Sequence, residues 1–185
     1  MINVTVAFHA PIRISTGTAR DGIDASALAD YVPGSSLKGA MRAAGRVRLG
    51  LPEPVLTRLF GDTGVASAWS WDDLAYGPES RLTTRVRIPV SIGGAASRGG
   101  MLVAEEVWVP ADSTPSFSIH RQAPRGEVQP QDELLLGGCA RAVKSLGAAR
   151  RRGMGWVTMT PSVSGNVIDP CEVAAAIHAA RRAVQ

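Results

Sequence analysis

The chain has 185 residues, 45% of them hydrophobic, 5% aromatic and 19% charged, with a formal net charge of +4 at neutral pH. That length suits one sizeable core better than two, and without an N-terminal signal pattern or a long apolar run the expectation is a single soluble, cytoplasmic domain over residues 1–185 with no membrane partner. Cys139 and Cys171 lack the paired spacing of a zinc site or a disulfide framework, and so few aromatic residues favour contact to a sugar-phosphate backbone over stacking of bases on a sheet.

Ile2 to Phe8 alternates apolar and polar residues, the period of a strand with one buried face, and Ile12 to Ser15 can continue it after Pro11. Thr16 to Asp30 has no steady period and is read as a loop. Pro33 and Gly34 then break the chain, Ser35 or Ser36 can cap the next amides, and an Ala, Leu and Met-rich run continues as helix. Lys38, Arg42 and Arg46 form a basic stripe on that helix, while Leu37, Ala40, Met41, Ala44 and Val47 make its apolar side. A helix start with open amides and nearby cations is a seat for phosphate. A solvated amphipathic face is the plain alternative, and a nucleotide-binding P-loop is excluded because Gly39 follows Lys38.

Further along, Pro54 to Phe60 reads as a short helix and Ala66 to Leu74 as a strand, whose Trp69 and Trp71 fill core or hairpin space. Thr84 to Ile92 alternates and is expected to pair with Met101 to Val109 across the glycine-rich loop Gly93 to Gly100, a hairpin insertion at about 84–110. Pro115 to Arg121 is a strand, Gln131 to Leu146 a helix, and Gly155 to Pro161 a strand. Asp169 and Pro170 start a final alanine-rich helix reaching Val184. This order predicts an α+β fold, a ferredoxin-like (RRM-like) βαββαβ core with an inserted hairpin and a C-terminal helix.

Charge is concentrated. Gly34 to Gly50 holds Lys38, Arg42, Arg46 and Arg48 with no acid; Arg141 to Gly153 holds Arg141, Lys144, Arg150, Arg151 and Arg152 with no acid. The rest of the chain is therefore net acidic, which fits a polyanion-binding surface better than a uniformly basic shell. In the second segment, guanidinium forks suit phosphate oxygens and the glycines let a backbone come close to a ligand.

The run Val32-Pro33-Gly34-Ser35-Ser36-Leu37-Lys38-Gly39-Ala40-Met41-Arg42, followed much later by Arg150-Arg151-Arg152-Gly153-Met154-Gly155-Trp156-Val157, resembles the RAMP superfamily of CRISPR-associated RNA-binding proteins. Within that superfamily the likeness is to the backbone subunits of type III effector complexes. The resemblance implies an RNA-recognition fold that polymerises along a guide RNA beside other effector subunits and pairs it with complementary target RNA. It implies guide-phosphate contact by Ser35, Ser36 and Lys38, with Arg42 and Arg46 nearby and Arg150, Arg151, Arg152 and Gly153 lining the same path. The Val86 to Val109 hairpin would be a thumb with Ile92 and Arg98 at its tip. In cleaving members an aspartate before the helix motif directs metal-dependent cutting of target RNA; here that is Asp24, with Asp21 and Asp30 as neighbours and a divalent ion (Mg or Mn) as cofactor. On the residues alone, Asp24 is equally an Asx-turn or cap residue. The loop from Asp24 to Val32 is shorter than is typical of the family. Two other outcomes stay open, a non-cleaving scaffold or end-capping subunit and a guide-processing endoribonuclease using His9.

Overall fold

The structure, a computed structural model, describes residues 1–15, 17–19, 21–27, 30–87, 102–111, 114–122 and 128–183. Its elements in chain order begin with strand β1 (Ile2–Phe8), strand β2 (Tyr31–Val32), helix α1 (Gly34–Val47) and helix α2 (Glu53–Phe60). Strands β3 (Trp69–Trp71), β4 (Leu74–Ala75), β5 (Arg81–Arg87), β6 (Val103–Val109) and β7 (Ser116–Arg121) follow. Helix α3 (Asp132–Ala142), strands β8 (Val157–Val163) and β9 (Asn166–Val167) and helix α4 (Pro170–Arg182) complete them. The fold is mixed α+β, with a multi-stranded antiparallel sheet and four described helices.

β1 is the centre of that sheet because its alternation leaves Ile2, Val4 and Val6 fully buried on one side. It pairs antiparallel with β7 on one edge, Val4 opposite Phe117, and with β8 on the other, Val4 opposite Pro161. β3 extends the sheet beyond β7 and β9 beyond β8, giving the order β3-β7-β1-β8-β9. Helix α3 packs on β8 and against α1 and α4, so Leu37 and Met41 of α1 meet Leu135, Leu136 and Cys139 of α3 in one apolar core. Burial pushes the Cys139 thiol up to about 12, which leaves it an inert packing group. No described helix is long and apolar enough to cross a membrane.

Several boundaries moved for identifiable reasons. Ile12 to Ser15 does not continue β1: the main chain of Ile12 exchanges two hydrogen bonds of 2.8 Å with Trp108 of β6, so this segment fastens the hairpin. α1 starts at Gly34, ahead of the serines, and α3 stops at Ala142, where Val143 turns extended and Ser145 pairs with Trp156. The Ala66 to Leu74 strand is shorter than expected, with β4 pairing separately with β2. β5 and β6 pair antiparallel as expected, Arg87 opposite Val103. The expected tip, with Ile92, Arg98 and the Gly93 to Gly100 loop, lies outside the described residues. Asp169 caps α4 as expected, its carboxylate accepting the Cys171 N–H at 2.9 Å.

Candidate nucleic-acid interface

The start of α1 is capped, but by neither serine. Its N-cap residue is Pro33, and the Gly34 N–H donates to Asp73 Oδ1 at 2.7 Å. Asp73 can reach because the turn after β3 presses on the helix start: a Cβ at Gly34 would collide with the Trp71 carbonyl oxygen. A carboxylate from across the chain thus meets the positive end of the helix. The Ser35 and Ser36 side chains make no hydrogen bond within the described residues and are left facing two different clefts.

In the stripe of Lys38, Arg42 and Arg46, the two arginines look toward α2. Arg42 donates to the Gly61 carbonyl at 3.0 Å and to Glu53 at 2.9 Å, with Asp62 at 3.4 Å; Arg46 grips Glu53 through two hydrogen bonds of 3.1 and 2.7 Å. Hydrogen bonds from Arg46 and then Arg42 hold the Glu53 carboxyl below the usual carboxylate range. The segment without acids in sequence therefore acquires Glu53 and Asp62 in space, and two of its arginines brace α1 against α2. Lys38 lies 5.2 Å from the centre of the Trp71 ring, a cation–π contact, and burial followed by the Arg42 charge lowers its ammonium from the ordinary value. Ser35, Lys38 and Arg42 line an open cleft of about 610 Å³ together with Asp62, Thr63 and Trp69.

The two basic segments meet on a different side of α1. Ser36, Gly39, Ala40 and Ala43 face Ser145, Gly147, Ala148 and Arg150 across a groove of about 440 Å³. A lobe of about 200 Å³ beside it, sharing Ala40, Ala43, Ser145 and Arg150, adds Val47, Arg48 and Lys144. Small residues on α1 leave room, and Arg48, Lys144 and Arg150 supply positive charge. Arg150, Arg151 and Arg152 form an exposed 3₁₀ turn between left-handed Ala149 and Gly153. That turn is held firmly: Leu146 N–H donates to Gly155 O, Ala148 N–H to Arg13 O and Gly155 N–H to Pro11 O, each at 2.8 Å.

A third centre lies at the foot of the hairpin. Asp24 is exposed and is clamped to Ala104 of β6, its N–H donating to the Ala104 carbonyl at 2.8 Å and its Oδ2 accepting the Ala104 N–H at 2.7 Å. It lines a recess of about 490 Å³ with Ile23, Val86 and Leu102. Next in β6, buried Glu105 accepts the Arg87 Nε–H at 2.7 Å and faces Arg13 at 3.3 Å. Burial would raise the Glu105 carboxyl, but the Arg87 hydrogen bond and the charges of Arg13, Arg87 and Arg152 outweigh it and hold it below the ordinary range. Glu106 completes the junction by accepting the Ala27 N–H at 3.2 Å. Sequence reading missed Glu53, Asp73 and Glu105; only the last left a trace, as adjacent acids inside an otherwise apolar strand, which must find partners when buried.

Other expected groups are engaged elsewhere. His9 Nε2 lies 2.8 Å from Thr158 Oγ1, His120 Nε2 lies 2.8 Å from Asp72, and the Asp30 carbonyl accepts the Tyr76 N–H at 3.0 Å. Among the described residues no three His, Cys, Asp or Glu side chains come together. Asp24 would offer a divalent ion a single carboxylate, one of whose oxygens already holds an amide. The described residues do not build a resident metal site.

No curated protein matches the sequence significantly. Among solved structures, a chain of the Type III-B Cmr-beta complex bound to cognate target RNA superposes with a TM-score of 0.67 at 16% identity, covering 91% of this chain and 60% of that one. This protein thus spans less than two thirds of that relative's length. A chain of the same complex in its apo state gives a TM-score of 0.63 at 12% identity, over 89% of this chain and 98% of that one. The family model of the RAMP superfamily matches residues 11–158, from the segment that fastens the hairpin through α1 and the arginine turn into β8. The chain belongs to the RAMP superfamily.

Proposed function

We propose that this protein is a guide-RNA-binding backbone subunit of a type III-like CRISPR effector complex, repeated along the guide beside other effector subunits. The observation that carries the reading is the groove in which Ser36 of α1 faces Arg150, with Lys144 and Arg48 alongside. A hydroxyl and several cations in one trough, with no carboxylate lining it among the described residues, are what a sugar-phosphate backbone needs. Ser35 and Lys38 extend this contact around the helix start, while Arg42 and Arg46 fasten α1. Support for the ferredoxin-like reading comes from the central order β3-β7-β1-β8, with α1 after β1, α3 before β8 and the β5–β6 hairpin inserted into one domain. The structural relatives belong to a complex described with its target RNA bound.

Charge reversal at Lys144 together with Arg150 is expected to weaken binding of single-stranded RNA. It should also flatten the salt dependence of binding by about 0.7 for each phosphate no longer neutralised, measured as the slope of log K against log salt. Unchanged affinity and slope would remove the groove from the interface.

A second reading, cutting of complementary target RNA, is favoured by the position of Asp24, exposed at the hairpin foot with its backbone fixed by Ala104. A carboxylate held so could orient a ribose 2′-hydroxyl toward the adjacent phosphate of a bound strand. In the assembled complex, Asp24→Ala should retain guide RNA and lose cleavage of complementary RNA. Cleavage at the parental rate would exclude Asp24, and no cleavage by the parent would make the subunit a non-cleaving scaffold or end cap. Guide processing by His9 gains no support, since that imidazole is engaged with Thr158.

A further inference from the structure

The four tryptophans occupy very different surroundings. Trp69 is buried, Trp71 stacks on Phe60 with ring centres 5.6 Å apart, and Trp108 lies 5.6 Å from the Tyr76 ring. Trp156 is 57% exposed. It stands at the head of β8, where burial alternates: Val157 and Met159 point into the core, and Trp156, Thr158 and Thr160 point to solvent on the face away from the helices. His9 lies directly across from it. The His9 N–H donates to the Trp156 carbonyl at 2.8 Å, and His9 Nε2 meets Thr158 Oγ1 on that same outer face. An imidazole and an indole thus share the outer end of the β1–β8 pair.

The backbone beneath this pair is fixed. Trp156 bridges to Ser145, Leu146 N–H bonds to Gly155 O, and a Cβ at Gly155 would collide with the Leu146 carbonyl. The adjoining stretch of chain is basic, although the Glu105 carboxylate reaches Arg152 with its charge. Arg150, Arg151 and Arg152 lie just upstream, and no acid occurs between Glu133 and Asp169. Ser145, the bridge partner, itself lines the basic groove with Arg150. An exposed aromatic ring at the head of a strand whose outward neighbours are Thr158 and Thr160, just after three arginines in sequence, is not the contiguous apolar patch a protein partner covers. A flat, polarisable ring beside cations is what an unpaired base and its phosphate require.

We propose that Trp156, with His9 beside it, is a stacking platform for one unpaired base of the RNA strand whose phosphates run along the Arg150–Arg152 turn. This rests on the RNA-binding reading above and adds a base contact to it. Full-length protein and its Trp156→Ala, Trp156→Phe and Arg150→Glu/Arg151→Glu variants would be titrated with labelled single-stranded RNA over a range of salt. Thermal melting would confirm that each is folded. W156A should bind about tenfold or more weakly with the salt slope unchanged, W156F should keep most of the affinity, and the double arginine variant should lose slope. On a strand whose bases are replaced by abasic sites, the parent and W156A should bind equally. W156A binding intact RNA like the parent would overturn the platform while leaving the groove in place. The platform would be overturned in the same way if W156A lost only self-association, which would make Trp156 a contact between copies. A parent chain that binds no RNA at any salt would overturn both readings together.

Discussion

At Gly155 a single missing Cβ lets two strands of chain touch. Its φ of +67° lies in the left-handed region, and the Leu146 carbonyl occupies the place a side chain would take. Gly155→Ala should therefore destabilise the protein by at least about 2 kcal/mol, a fall in melting temperature of about 4–8 °C for a chain of this size. It should also loosen the arginine turn, read as a loss of RNA affinity greater than the loss of stability accounts for. Asp24 makes the complementary point. Both its backbone and its carboxylate are held by Ala104, so Asp24 fastens its segment to β6 across 80 residues rather than closing a local Asx turn.

At the scale of elements, α1 has three faces with three duties. Leu37, Met41 and Ala44 pack into the core, Arg42 and Arg46 reach α2, and Ser36, Gly39, Ala40 and Ala43 line the groove. The helix, its core side through Leu37, Met41 and Ala44 and its basic residues were legible in the sequence because local spacing determines them, while Val47, expected on that side, is exposed at the helix end. Which basic residues remain available was not, because Glu53 and Asp62 come from a separate element and approach only when α2 packs beside α1. Glu53→Ala tests this division of labour. Releasing Arg42 and Arg46 should raise affinity for single-stranded RNA severalfold at low salt and steepen the salt slope, measured in the same titrations. Unaltered binding would mean the stripe faces no nucleic acid even when its arginines are released.

At the scale of the whole molecule, Glu105 ties together parts distant in sequence: Arg13 after β1, Arg87 of the hairpin and, through its charge, Arg152 of the arginine turn. Its carboxyl is held below the ordinary value of about 4.3, so the stability it contributes is fully present above that value and is lost as pH falls through the lower folded-state value. Melting temperature should therefore fall as pH is lowered from about 5 to about 3, and Glu105→Gln should flatten that part of the profile. Glu105→Ala, which strands Arg13 beside a buried gap, should cost about 3 kcal/mol.

The chain by itself determined its α+β character, the first strand with its one buried face, the hairpin pairing, the cap of α4 and the family, because period, turn residues and contiguous motifs are local properties. Tertiary structure alone decided that Asp73 rather than a serine caps α1, that two stripe arginines are neutralised, and that Ser36 and Arg150 face one another. Each of these depends on groups brought together by packing across the core, and charge complementarity at a distance of many residues leaves no periodic trace in a sequence.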